Sequence, residues 1–131
     1  MKEKKNLINL IVIIVVLAVL TDFFVISRKV KVENNRLTVS SGVVCPKADV
    51  SLDEIKDVYV KDKVPSMKRN FGASMGKTKK GTFTNKELGK GKVYITSKDK
   101  AFVYVVYEDS FVIIGSETQN EADELVAKLK K

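Results

Sequence analysis

Residues 71–96 read FGASMGKTKKGTFTNKELGKGKVYIT, and the fold turns on whether this stretch is a nucleotide loop or a connection between strands. Gly76-Lys77-Thr78 reproduces the end of the pattern G-x-x-x-x-G-K-[ST]. The glycine before it is Gly72, which leaves three intervening residues instead of four. A phosphate loop also needs a buried strand before it and a helix after it, because the amides and dipole of the helix N-terminus hold the phosphates. The next residues, KKGTFTNKELGKGK at 79–92, are rich in glycine and carry no apolar stripe. Nucleotide hydrolysis is not expected, and the stretch reads as part of a long connection.

Charge is the more telling property of this region. Between Lys63 and Lys92 lie nine basic residues and one acid, Glu87. The net charge of the window is +8, equal to that of the whole 131-residue chain. The excess is therefore local. A concentrated basic surface favours anionic partners. Lys68, Arg69, Lys77, Lys79 and Lys80 are the candidate ligand-binding residues, and anionic lipid headgroups or an acidic polymer are the candidate ligands, each lysine contributing about 1 kcal/mol beside a charged bilayer. A merely solvated loop is the bland alternative. Phe71 and Phe83 are too sparse for base stacking, so no nucleic-acid partner is expected.

The chain has no histidine, no tryptophan and a single cysteine, Cys45. These absences remove imidazole general bases, Ser/His and Cys/His pairs and intrachain disulfides. No catalytic residue, metal ligand or cofactor is expected. Asp53-Glu54 are adjacent carboxylates that point apart on a turn and read as solvated or capping groups. Cys45 reads as a small, partly buried residue.

Leu7–Ile26, LINLIVIIVVLAVLTDFFVI, is long enough to span the roughly 30 Å hydrocarbon core as a helix. Asn9 and Asp22 lie near its ends, and Asp22 reads as a wetted interface residue. The start MKEKKN also suits a signal peptide, but Val16-Leu17-Ala18 lies inside the apolar run, so an uncleaved anchor fits better. The expected organisation is a basic tail over 1–6, a transmembrane helix over 7–27 and one domain over 28–131. Lysines flank both ends of the span, so the positive-inside rule pulls both ways. The cost of carrying a Lys-rich tail across the bilayer leans towards a cell-membrane protein with its domain on the extracytoplasmic side.

Beyond Arg28 the pattern changes to period two. RKVKVE and RLTVS alternate around Asn34-Asn35, a two-residue hairpin turn. VVCPKADV returns as an irregular third strand with Pro46 at an edge or bulge, and a fourth strand covers 56–61. After the basic connection over 63–92 come KVYITS, AFVYVVYE and SFVIIGS. Thr118-x-x-Glu121 and Ser116-x-x-Gln119 both match a capping box. Ala122, Leu125, Val126 and Leu129 then form one apolar stripe of a helix over 118–131.

The stretches VKVENNRLTVSSG, VSLDEIKDVYV, the Phe-Gly…Gly-x-Phe…Leu-Gly spacing within 71–96, and DSFVIIGSETQNEADELVAKLKK resemble bacterial PH (pleckstrin-homology-like) domains attached to membrane segments. That resemblance implies a mainly β fold: a seven-stranded antiparallel barrel of two sheets, capped by the C-terminal amphipathic helix. It implies a non-enzymatic binding or scaffolding module at the bilayer. A protein-interaction module using a barrel edge or the helix groove is the other expectation.

Overall fold

The computed structural model describes residues 2–24, 28–43, 45–108 and 110–130. Helix α1, Lys2–Phe24, opens the chain and takes up most of the expected basic tail as well. At 1.5 Å per residue it is roughly 34 Å long. The window Glu3–Thr21 is long and apolar enough to cross a membrane, and none of it is buried within the protein. The side chain of Asp22 and residues 25–27 lie outside the described residues.

The domain has two sheets. β1 (Lys29–Glu33), β2 (Arg36–Ser40) and β3 (Ala48–Ser51) form an antiparallel sheet in that order. The β1–β2 turn is the expected Asn34-Asn35 pair, with φ of 52° and 62°. That is the type I′ hairpin geometry asparagine tolerates. Leu37, Val39 and Val50 point inwards, while Lys29, Lys31 and Thr38 alternate outwards.

A short turn, Leu52–Glu54, leads to the second sheet. Its strands are β4 (Ile55–Lys61), β5 (Lys68–Met75), β6 (Thr78–Asn85), β7 (Gly89–Ile95), β8 (Ala101–Tyr107) and β9 (Ser110–Ser116). They lie in the order β4-β8-β9-β7-β6-β5. β7 and β9 run parallel; every other neighbouring pair is antiparallel.

The fold is mainly β with two helices, and the sheets with the C-terminal helix are consistent with a PH-like fold. The expected details need correction. Among the described residues there are nine strands instead of seven, one strand pair is parallel, and the sheets are open instead of closing into a barrel. The connection expected over 63–92 is mostly sheet: β5, β6 and the start of β7. Glycine and lysine hid it, since both are depleted in strands. The glycines here serve a specific purpose. Gly72 pairs with Gly81, and a Cβ on either would lie 2.1 Å from a backbone oxygen of the opposite strand. Only two glycines allow the strands to approach so closely at that point. The β5–β6 turn is Gly76-Lys77, with Gly76 at φ 58°.

Two apolar clusters flank the larger sheet. One gathers Leu37, Val39, Val50, Val103 and Ile114 with the helix residues Ala122 and Leu129. The other gathers Phe83, Val93, Phe102, Phe111 and Ile113, covered by Val64, Met67 and Leu88. Helix α2, Gln119–Leu129, begins at Thr118, whose hydroxyl accepts the Glu121 amide at 3.2 Å. It lies against β4, β8 and β9 through the expected stripe.

Candidate functional site

The five sequence-selected basic residues do not converge. Lys68 and Arg69 begin β5, whereas Lys77 and Lys79 sit at the other end of the same hairpin. About seven residues of strand, roughly 23 Å, separate the two groups. Lys68, Arg69 and Lys77 are exposed; Lys79 is half-buried and its Nζ donates to Ser74 Oγ at 3.2 Å.

Lys80 departs from the set. It is 1 % exposed, and its Nζ donates to Ser41 Oγ at 3.0 Å. It points inwards because its cross-strand neighbours are Ala73 and Tyr94, both on the core face. Sequence reasoning missed this because alternation within TKKGTFTN is masked by glycine and threonine. Lys80 belongs to a clamp instead. Tyr94 Oη donates to the carbonyl of Pro46, and Lys92 Nζ donates to the carbonyl of Lys47 at 2.6 Å. Together the three side chains fasten the 41–47 segment, which links β2 to β3, onto the larger sheet. Cys45 lies within this segment and is 1 % exposed, more buried than expected. Burial raises the Tyr94 pKa, with Cys45 and Tyr107 adding to the effect.

A second fastening sits where the chain enters the domain. Arg28 donates bidentately to Asp99 in the β7–β8 turn, at 2.9 and 2.6 Å. The Asp99 side chain is fully buried and also accepts the Thr96 amide at 2.7 Å. Gly115 makes the room for it: a Cβ there would lie 1.9 Å from Asp99 Oδ2.

Two concavities accompany these features. A cleft of about 290 Å³ lies between β1 and α2, lined by Val30, Val32, Leu125, Glu121, Glu124 and Lys128 among others. β1 is the terminal strand of its sheet, so one of its backbone edges is unpaired within that sheet. At the other side of the domain Tyr59 and Tyr104 stack at 5.0 Å, with Lys61 Nζ 5.4 Å from the Tyr59 ring centroid. Tyr104 Oη donates to the Lys63 carbonyl, and burial followed by Tyr59 pushes its pKa up to about 12. Asp53 is exposed and accepts from Asn35 Nδ2 at 3.0 Å, a side-chain bond between two turns. Among the described residues no group of three His, Cys, Asp or Glu could hold a metal ion.

A family described as bacterial PH domain matches residues 28–131. No curated protein and no solved structure matches the chain. The match covers most of the sequence, and the chain belongs to the bacterial PH domain family.

Proposed function

We propose that this bacterial PH-domain protein is a non-enzymatic module held at a bilayer by α1, and that its basic surface engages anionic lipid or an acidic polymer. One observation carries the reading: an apolar helix with no protein packed around its span directly precedes a PH domain that bears nearly all of the excess positive charge. A helix that is apolar all round has to bury that surface somewhere. The separation of Lys68 and Arg69 from Lys77 and Lys79 favours diffuse attraction over a single ligand pocket. The test is the full chain in nanodiscs of neutral lipid, titrated with polyphosphate. Binding that weakens steeply with salt, and weakens further in Lys77→Glu/Lys79→Glu, supports the reading. Salt-independent binding, or none at low salt, contradicts it.

The cleft between β1 and α2 favours a second reading, a protein-interaction module. An added strand could pair with the open edge of β1 while Glu121 and Glu124 receive a basic side chain. A partner bound in this way slows amide exchange across Lys29–Glu33; a partner bound elsewhere leaves those amides unchanged.

A further inference from the structure

The domain is electrically polarised along its strands. Register assigns each connection to one of two ends. Arg28 is bonded to Asp99, so the chain arrives from α1 at the end where β7 finishes and β8 begins. The β5–β6 turn lies at the same end, because Lys79 pairs with Ile95. The 41–47 segment is tied to this side by the clamp from Lys80, Tyr94 and Lys92. The opposite end carries the Asn34-Asn35, 52–54 and 86–88 turns and Glu108.

Charge divides along the same line. The arriving end exposes Lys29, Lys47, Lys77, Lys98 and Lys100. Its acids are Asp62, Glu117, Glu121 and Asp99, the last already paired with Arg28. The far end exposes Glu33, Asp53, Glu54, Asp57, Glu87 and Glu108 against Arg36, Lys56, Lys68, Arg69, Lys86 and Lys90, so it is close to neutral. The first sheet repeats the gradient in miniature. Lys29 pairs with Ser40, and Lys47 stands one step before Ala48, the partner of Val39. Lys31, Thr38 and Asp49 form the next row, and Glu33, Arg36 and Ser51 the last. Asp49 is engaged by Arg36 at 2.8 Å, so it does not neutralise the lysine rows.

Outside α1, the exposed apolar side chains among the described residues are Val43, Phe71 and Met75. Two of these three share this distribution, while Phe71 lies mid-strand opposite Thr82. Val43 is 90 % exposed on the 41–47 segment, and Met75 leads into the β5–β6 turn. β5 is also the strand that α1 approaches. Lys29 is five residues beyond Phe24, so the chain allows at most about 18 Å between them.

We propose that this end of the domain rests on the leaflet from which α1 emerges. Lys29, Lys47, Lys77, Lys98 and Lys100 meet the phosphates of anionic lipids, and Val43 enters the boundary between headgroups and acyl chains. The far end, where acids and bases balance, gains less from an anionic surface and points away. This rests on the anchored reading above and adds to it an orientation and a set of contacts. Of the residues selected from sequence, Lys77 and Lys79 face the bilayer, while Lys68 and Arg69 do not.

The experiment uses the full chain in nanodiscs of neutral phosphatidylcholine, with or without phosphatidylglycerol. Lysines are acylated with a water-soluble ester and quantified by peptide mass spectrometry. About 1 kcal/mol per lysine at the surface converts to roughly fivefold slower labelling in the anionic discs. That slowing is expected at Lys29, Lys47, Lys77, Lys98 and Lys100, and is lost at high salt. Lys56, Lys86 and Lys90 should label equally in both discs. The chain lacks tryptophan, so Val43→Trp gives a single emitter. Its emission should be quenched by brominated lipid in the anionic discs. Even labelling, or protection confined to Lys68, Lys86 and Lys90, overturns the orientation while leaving the anchor intact. An unquenched Val43→Trp emission overturns the insertion of that segment. A chain recovered outside the discs removes the anchored reading and this proposal together.

Discussion

Arg28 and Asp99 join residues 71 positions apart in sequence through two hydrogen bonds of 2.9 and 2.6 Å. The carboxylate is fully buried and the guanidinium partly so. Removing one partner strands the other charge away from water, a cost of about 3–5 kcal/mol. Asp99→Ala and Arg28→Gln should each lower the denaturant midpoint accordingly. Gly115→Ala should act in the same direction, since its new methyl would occupy the Asp99 oxygen position. Unfolding curves that leave all three variants at the parent midpoint would show that the pair does not hold the junction.

The paired glycines of β5 and β6 give a ranked prediction. Gly72→Ala and Gly81→Ala each place a Cβ 2.1 Å from backbone oxygen and require φ of 124° and 134°. Each should destabilise by about 1–3 kcal/mol or more. Gly76→Ala meets open space at φ 58° and should cost less. Thermal melts of the three variants check the order.

Lys80 and Lys77 should behave differently although they are near neighbours in a basic run. Lys80→Glu buries a carboxylate beside Ser41 and should destabilise the fold by several kcal/mol. Lys77→Glu, at an exposed turn, should stay within about 0.5 kcal/mol of the parent stability. If Lys80→Glu melted with the parent protein, the buried placement of that lysine would be wrong.

Alkali should unfold the domain cooperatively. Tyr104 titrates at about 12 when folded, against an ordinary value of 10.0, and Tyr94 is raised as well. Above pH 10 the unfolded chain releases these protons while the folded chain keeps them. Stability is therefore fully present below pH 10 and falls as pH rises towards 12. Tyr104→Phe should flatten the fall over that interval, as measured by denaturant titrations at fixed pH. An unchanged slope would mean that Tyr104 titrates normally.

Alternation made some of this structure legible in the sequence and glycine concealed the rest. Val30, Val32, Leu37 and Val39 alternate around an asparagine turn, and their hairpin formed as expected. Thr118 capped α2, and its apolar stripe faces the core. β5 and β6 were hidden because Gly72 and Gly81 permit a close strand crossing that no propensity scale rewards. The excess charge was visible by counting, but its division between two ends was not. That division depends on which turns share an end, and long-range bonds such as Arg28–Asp99 and Lys80–Ser41 determine it. Cys45 illustrates the same limit: it reads as partly buried in sequence, and the long-range bonds that fasten Ser41, Pro46 and Lys47 leave it 1 % exposed.

Alkaline carbonate extraction of cell membranes holding the full chain tests the anchored reading most directly. The account predicts that the protein stays in the membrane pellet and that deleting residues 2–24 releases the domain to the supernatant. Recovery of the undeleted chain in the supernatant would contradict it.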